Sequence, residues 1–204
     1  MSPQLVFATL AIATTVVYSI PQVVKIYISN TPKAISGVSS VAMLFASVSW
    51  LASGFLEGDR PLTVANAFLS VFNALILLLI FQKVGVHRIR TLLVTVLLAG
   101  ILVAVRFYLP QNGLGLFAAS LTAVMLIPQG FKIIRLKQSS GVSGVSYLML
   151  AISSLCWVAY GHLTGNMVLV LPNLVLFPTA LLVYFMVIKY RTSNFWYLKA
   201  TTGN

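Results

Sequence analysis

The chain has 204 residues, of which 59% are hydrophobic and only 7% are charged, far below the roughly 25% charged residues of a typical soluble domain. This composition excludes a water-soluble globular fold and indicates an integral membrane protein. The net charge of +11 comes from 13 Lys and Arg residues against two acids, so the positions of these charges decide whether nucleic-acid binding needs to be considered.

Seven apolar segments are long enough to cross a bilayer as helices. A membrane helix needs about 20 apolar residues, and such windows lie near 5–28, 37–56, 62–82, 91–109, 112–134, 144–164 and 167–188. No basic residue precedes the first segment, and it is longer than the apolar part of a signal peptide, so we expect it to be the first span. The predicted fold class is an all-α polytopic membrane protein of seven transmembrane helices.

The basic residues predict the orientation of the chain in the membrane. Only Arg60 and Arg106 fall on the side that holds the N-terminus. The opposite side carries the other eleven: Lys25, Lys33, Lys83, Arg88, Arg90, Lys132, Arg135, Lys137, Lys189, Arg191 and Lys199. Because an excess of Lys and Arg marks the cytoplasmic face, we expect the N-terminus outside and the C-terminus in the cytoplasm. Membrane topology then accounts for the charge, and no nucleic-acid partner is predicted.

The sequence contains an internal repeat. A shift of 107 positions aligns residues 15–66 with 122–173 without a gap, and 19 of the 52 pairs are identical. The identical positions include Pro-Gln, a Lys, the tetrapeptide Ser-Gly-Val-Ser, a Trp, two Gly and an Asn. Such a period indicates two copies of one structural unit.

Each copy holds three predicted spans, so two directly linked copies would be inserted upside down relative to each other. The unmatched span near 91–109 corrects the orientation, and both copies then run parallel about an axis along the membrane normal. We predict a 3+1+3 organisation: a first three-helix repeat over 1–83, a linker helix within 84–111, a second repeat over 112–190 and a cytoplasmic tail over 191–204.

Pro21 and Pro128 lie within the first span of each copy and are each followed by a glutamine. A proline inside a helix removes a backbone donor and bends the helix. We interpret Pro21, Gln22, Pro128 and Gln129 as hinge and gate residues; a static kink is the alternative. Since freed carbonyls in lipid need partners, we expect the two glutamine amides to bind backbone or each other.

Trp50 and Asn66 each stand eight residues from Gly58, which lies in the turn between the second and third spans. Two antiparallel helices leaving that turn place both side chains about 12 Å from its end. Trp157 and Asn173 repeat this arrangement about Gly165. An indole face suits the C–H side of a sugar ring, and an amide both donates to and accepts from hydroxyls.

The four residues therefore predict one central solute pocket, although an interfacial aromatic belt or helix-to-helix bonding are alternatives. Asn73 lies on nearly the same face as Asn66 but is matched by Ala180, so it either adds asymmetry to the pocket or bridges helices.

Glu57 and Asp59 are the only acids, and both fall in the predicted outer turn after the second span. Carriers driven by protons or sodium usually need an ionisable residue within the membrane. The sequence therefore predicts uncoupled transport of a neutral solute. No nucleophile, acid–base pair or ligand cluster shares a face, and Cys156 is the only cysteine. We predict no enzyme activity, no cofactor and no metal site.

These features resemble the PQ-loop repeat proteins and, within them, the SWEET and SemiSWEET sugar transporters. The resemblance covers about 5–83 and 112–190 and rests on an ordered set present twice: Pro-Gln, a basic residue, Ser-Gly-Val-Ser, a mid-helix Trp and an Asn 16 residues later. It implies alternating access and downhill movement of mono- or disaccharides. It further implies that the Trp and Asn residues line the sugar site and that the Pro-Gln pairs act as hinges.

The chain departs from this pattern because its second and sixth spans lack the proline that plant and animal SWEETs usually carry there. The near symmetry of the halves is similar to fused bacterial units, which implies a bacterial inner membrane. The alternatives are a PQ-loop transporter of amino acids or another neutral metabolite, and a receptor that moves no solute. Membrane lipid is the expected surrounding partner. A monomer can complete the pore, so a homo-oligomer is allowed but not required.

Overall fold

A computed structural model describes residues 2–29, 33–83, 92–93, 96–97, 100–101 and 113–201, with side chains as far as Arg191. The regular elements in these ranges are seven helices: α1 Pro3–Ile28, α2 Gly37–Glu57, α3 Arg60–Lys83, α4 Gly113–Val124, α5 Ile127–Leu136, α6 Gly144–Thr164 and α7 Met167–Thr201. With α4 and α5 taken together, they include six candidate membrane spans. The prediction of an all-α membrane fold is confirmed, while the linker span near 91–109 lies largely outside the described residues.

Helix caps define the two ends of the bundle. Ser36 and Ser143 cap α2 and α6, each accepting a hydrogen bond at its Oγ from the backbone N–H three residues later, at 3.2 and 3.3 Å. Gly58 and Gly165 end the same two helices with φ of 72° and 73°, a conformation that favours glycine. We call these the serine-capped end and the glycine-turn end. Ser36 and Ser143 are the first serines of the two Ser-Gly-Val-Ser segments, so each segment begins a helix.

The sequence repeat is also a repeat of structure. α2 and α6 begin at 37 and 144 and end at 57 and 164, and α3 and α7 begin at 60 and 167, each pair 107 residues apart. α1 packs against α3 and α6, α2 packs against α3 and α4, and α7 packs against α4, α5 and α6. The spans thus form a closed ring in which α1 with α6, and α2 with α4 and α5, join one copy to the other.

The first spans of the two copies differ at their prolines. α1 is continuous through Pro21, whereas the matching span is interrupted at Met125 and Leu126, so that Pro128 lies in the first turn of α5. A first-turn proline breaks no helical hydrogen bond, because the backbone donors there have no partner within the helix. The Pro-Gln sequence is therefore compatible with both a continuous and a divided span.

Charge is segregated between the two ends. Eight described basic side chains lie towards the serine-capped end: Lys25, Lys33, Lys83, Lys132, Arg135, Lys137, Lys189 and Arg191. Arg60 begins α3 at the other end, next to Glu57 and Asp59. Arg88, Arg90 and Arg106 lie outside the described residues, as does the side chain of Lys199.

Close packing of α6 against α7 at Gly161 generates a stability prediction. A Cβ atom at this position would lie 2.9 Å from Val170 Cγ2 and 3.1 Å from the Asn166 carbonyl oxygen. We expect Gly161→Ala to lower the free energy of unfolding by about 1–3 kcal/mol through overpacking. Chemical denaturation in detergent micelles measures the effect.

Gly130→Ala is the matched control, because a Cβ there would lie at ordinary contact distances of 3.8 Å from Met186 Sδ and 4.0 Å from Val183 Cγ2. Alanine also favours a helix over glycine by about 0.5–1 kcal/mol, so this variant should be as stable as the parent or more so. Equal stability of the two variants would contradict the packing assigned to Gly161.

Candidate functional site

A cavity of about 60 Å³ lies where the six spans meet, and we call it the central cavity. Each of the six described spans contributes to its wall, which includes Thr15, Tyr18, Met43, Ser47, Trp50, Asn66, Asn73, Thr122, Leu150, Ser153, Trp157 and Asn173. All five residues predicted to bind a solute are in this list. The four hinge and gate residues are not. The spacing of Trp50, Asn66, Trp157 and Asn173 from the two glycine turns was therefore sufficient to predict that these four side chains lie around one cavity.

Each indole is held by a threonine of the other copy. Trp50 Nε1 donates to Thr122 Oγ1 at 3.0 Å, and Trp157 Nε1 donates to Thr15 Oγ1 at 3.0 Å. Both indoles are buried. A hydrogen bond in the ring plane fixes the orientation of an indole while leaving its faces free for contact. Sequence reasoning missed Thr15 and Thr122, although they are the first identical pair of the repeat.

The two threonines are not equivalent in their further contacts. Thr15 Oγ1 also lies 3.0 Å from Ser153 Oγ, whereas Ala46 stands at the position that matches Ser153. The central cavity therefore has one more hydroxyl on the side of α6 than on the side of α2.

Asn66 and Asn173 use only part of their hydrogen-bonding capacity within the protein. Asn66 Nδ2 donates to the Leu62 carbonyl and Asn173 Nδ2 to the Leu169 carbonyl, both at 2.9 Å. An asparagine side chain can donate twice and accept at Oδ1. Among the described residues no other partner is found for either amide, so each retains a donor and an acceptor for a molecule in the cavity.

Asn73 bridges two helices, which is one of the two roles predicted for it. Its Nδ2 donates to the Met43 carbonyl at 3.1 Å and to Ser47 Oγ at 3.2 Å, both on α2. Since Ala180 occupies the matching position, the second copy cannot form this bridge between its α6 and α7. Asn73 therefore ties α3 to α2 in the first copy only.

A second cavity of about 30 Å³ continues from the first towards the serine-capped end. Tyr18, Met43, Asn73 and Leu150 line both cavities. The further wall is formed by residues near the serine-capped end, namely Ser19, Gln22, Ile35, Ser39, Ser40, Ile76, Gln129, Ser146 and Tyr147. We call this space the clamp cavity, after the hydrogen bonds of Gln22 and Gln129 described next.

The glutamines of the two Pro-Gln pairs form hydrogen bonds between the two copies at the serine-capped end. Gln129 Nε2 donates to the Ala34 carbonyl and its Oε1 accepts from the Ser36 N–H, both at 2.8 Å. Gln22 does the same in the other direction, donating to the Gly141 carbonyl and accepting from the Ser143 N–H, both at 3.0 Å. We call these four bonds the glutamine clamp.

The clamp refines the expectation for the glutamines. Both amides bind backbone, which was one of the two expected partners, and they do not bind each other. The backbone they bind is the segment before α2 or α6 of the opposite copy. Each glutamine therefore joins the two copies directly at the serine-capped end.

The glycine-turn end has one side-chain hydrogen bond between the copies in the described residues. Tyr160 donates its hydroxyl proton to Asp59 Oδ1 at 2.9 Å, while Glu57 accepts from Ser53 Oγ of its own helix at 2.6 Å. Ser53 occupies the position that matches Tyr160, so this contact has no symmetric counterpart. Both carboxylates lie at this end of the molecule and neither lines a cavity.

The family model and the relatives that match this chain are all described as sugar transporters. The family described as "Sugar efflux transporter for intercellular exchange" matches residues 112–194. The chain is 36% identical over 61 residues to the sugar transporter SemiSWEET of Escherichia coli (strain UMEA 3162-1), covering 30% of this chain and 68% of that protein. It is 32% identical over 76 residues to the sugar transporter SemiSWEET of Leptospira biflexa serovar Patoc, covering 37% of this chain and 89% of that protein.

The fold is similar to that of a eukaryotic SWEET transporter solved at 3.7 Å resolution. The TM-score is 0.65 at 14% sequence identity, and the match covers 94% of this chain and 100% of the other. At this identity the likeness concerns the arrangement of the helices.

The reciprocity of the glutamine clamp generates a crossed prediction. Gln129→Ala leaves the Ser36 N–H and the Ala34 carbonyl, in the first copy, without their partners, at a cost of about 1–3 kcal/mol for each buried group. We expect faster hydrogen–deuterium exchange in residues 34–36. Gln22→Ala should instead accelerate exchange in residues 141–143, in the second copy.

Gln138→Ala is the control, since this half-buried side chain lies near the same end and makes no hydrogen bond to a described residue. It should leave both segments at the parental rate. Acceleration confined to the copy that carries the substitution would contradict the clamp.

Proposed function

The chain belongs to the SWEET and SemiSWEET family, and from this premise we propose that it carries a mono- or disaccharide across the membrane by uncoupled, alternating-access facilitated diffusion. The observation that carries the proposal is the central cavity, where two indoles and two amides from matched positions of the copies line one space. Its wall combines an apolar platform with neutral polar groups.

The chemistry of this wall suits a sugar. A pyranose ring has apolar C–H faces and a rim of hydroxyls, so it can rest on an indole face while its hydroxyls exchange hydrogen bonds with amides. Asn66 and Asn173 retain both a donor and an acceptor for this purpose. The described lining of the central cavity contains neither a carboxylate nor an amine, so it offers no charged side chain to a zwitterionic amino acid.

Movement of the two copies against each other would open the central cavity to the solute. The central cavity of about 60 Å³ has room for a few water molecules, at roughly 10–15 Å³ each, but not for a sugar ring, so the cavity must widen to accept its solute. The glutamine clamp closes one end and the Tyr160–Asp59 bond closes the other. We propose that one closure opens at a time as the two units rock about the cavity.

In this scheme residues 1–83 and 112–190 are the two moving units, 84–111 is the linker and 191–204 is the tail. The basic residues at the serine-capped end support the assignment of that end to the cytoplasm. The N-terminus then lies outside the cell, and the single-unit bacterial relatives favour a bacterial inner membrane. The matched 61 residues are 68% of the E. coli relative, which is therefore about 90 residues long, close to one unit of this chain.

Substitution of the cavity residues tests the proposed site. Trp50→Ala and Asn66→Ala should each reduce sugar uptake into proteoliposomes by roughly tenfold or more, because 1.4 kcal/mol of lost binding free energy already lowers affinity tenfold. Initial uptake of radiolabelled glucose and sucrose is the measurement. Phe55→Ala is the control, since Phe55 is an aromatic residue of the same helix with 75% of its surface exposed. Parental uptake by both cavity variants would refute the assigned site.

The absence of coupling is tested separately. Because both acids of the chain lie outside the cavities, no carboxylate is placed to carry a proton with the solute. Uptake should stop when inside and outside concentrations are equal, and a pH gradient of either sign should leave it unchanged. Accumulation above the outside concentration under an inward proton gradient would overturn the uncoupled mechanism while leaving sugar transport intact.

A further inference from the structure

Several buried hydroxyls among the described residues donate to a backbone carbonyl about one turn earlier. Ser40 Oγ donates to the Ser36 carbonyl at 3.0 Å, and Ser49 Oγ donates to the Phe45 carbonyl at 2.7 Å, four residues earlier in each case. Ser19 and Ser154 do the same on α1 and α6. This local bond is the simplest way to satisfy a serine inside a membrane helix.

Three buried Oγ atoms have no hydrogen-bond partner among the described residues, those of Ser39, Ser140 and Ser146. Ser140 is a half-buried residue that lines neither cavity, whereas Ser39 and Ser146 are only 2% and 5% exposed and line the clamp cavity. Both serines lie in the first turn of their helices, so the residue four positions earlier, Ile35 or Val142, lies before the helix begins.

Ser39 and Ser146 are a matched pair of the repeat within one cavity. The two serines stand 107 residues apart at identical positions of the repeat, and both line the clamp cavity. A buried hydroxyl without a partner is unfavourable. Its presence in both copies, on the wall of one cavity, indicates a partner that enters from that cavity.

We propose that the clamp cavity is a second binding station for the transported solute, in which the Ser39 and Ser146 hydroxyls bind hydroxyls of the sugar. This inference rests on the proposed function and assigns the station a place on the route from the central cavity to the serine-capped end. The shared wall of Tyr18, Met43, Asn73 and Leu150 makes the two cavities one path.

The lining of the clamp cavity fits a transient station. It is lined by hydroxyls, amides and the rings of Tyr18 and Tyr147 but by no indole. Because an indole is the larger aromatic platform, a sugar would be held less tightly there than in the central cavity. Gln22 and Gln129 also line this cavity, and opening of the clamp would release their amides from the backbone. The station therefore gains polar groups and space when the serine-capped end opens.

The Ser39→Ala/Ser146→Ala double variant tests the station. We expect sugar uptake into proteoliposomes to fall by roughly three- to tenfold, the effect of losing one or two neutral hydrogen bonds on the path. Equilibrium binding of the same labelled sugar to purified protein should stay within about twofold of the parent, because the tighter central site is intact. Stability should not decrease, since neither hydroxyl bonds to another described group.

Ser49→Ala is the matched control, because Ser49 is fully buried on the same helix as Ser39 and lines neither cavity. It should transport at the parental rate. Parental uptake by the double variant would overturn the station, as would an equal loss in the control, which would indicate general packing. An equal loss of binding and uptake would place both serines in a single site with the indoles and also overturn it. Failure of the parent protein to move any sugar would refute the proposed function instead, and wild-type uptake is therefore measured first.

Discussion

The bilayer offers no hydrogen-bond partner to a polar side chain, and this constraint organises the structure. Short hydroxyl side chains satisfy it within their own helices, as Ser19 and Ser49 do. Longer polar side chains reach further, and several bond to the other copy: the two indoles to threonines, and the two glutamines to backbone. Several of the groups that hold the copies together therefore also line the cavities, namely both indoles, both threonines and both glutamines.

The two copies have the same helix arrangement but differ in helix continuity, in proline content and in one hydrogen-bonded bridge between helices. In the first copy Asn73 ties α3 to α2, and α1 is continuous. In the second copy the first span is divided, and α7 contains Pro172 and Pro178, where the first copy has Ala65 and Val71. Prolines remove helical hydrogen bonds and promote bending. The second copy thus has more places at which a span can change direction.

The sequence was sufficient for much of the fold and for the core of the site. The length of the apolar segments predicted the helices. The count of eight residues from each glycine turn predicted that Trp50 and Asn66 share a cavity, because the rise per residue is fixed in a helix. Side-chain contacts between the two copies could not be predicted from the sequence. The contacts of Gln22 and Thr15 depend on how the two copies dock, which no local pattern records. The extension of α7 to Thr201, beyond the predicted span, likewise has no signal in hydropathy.

The strength of the glutamine clamp bears on how readily the two copies can separate at the serine-capped end. Four neutral hydrogen bonds in the glutamine clamp contribute about 2–6 kcal/mol in total, taking about 0.5–1.5 kcal/mol for each. Reversal of a two-state equilibrium from 1:99 to 99:1 requires about 5.5 kcal/mol, so the clamp is of the size that solute binding and thermal motion can counter. An ion pair buried at the same place would be far costlier to open, because each separated charge would be left without a partner. The glutamine clamp consists of neutral amides and avoids this cost, so it is easier to open than an ion pair at the same place would be.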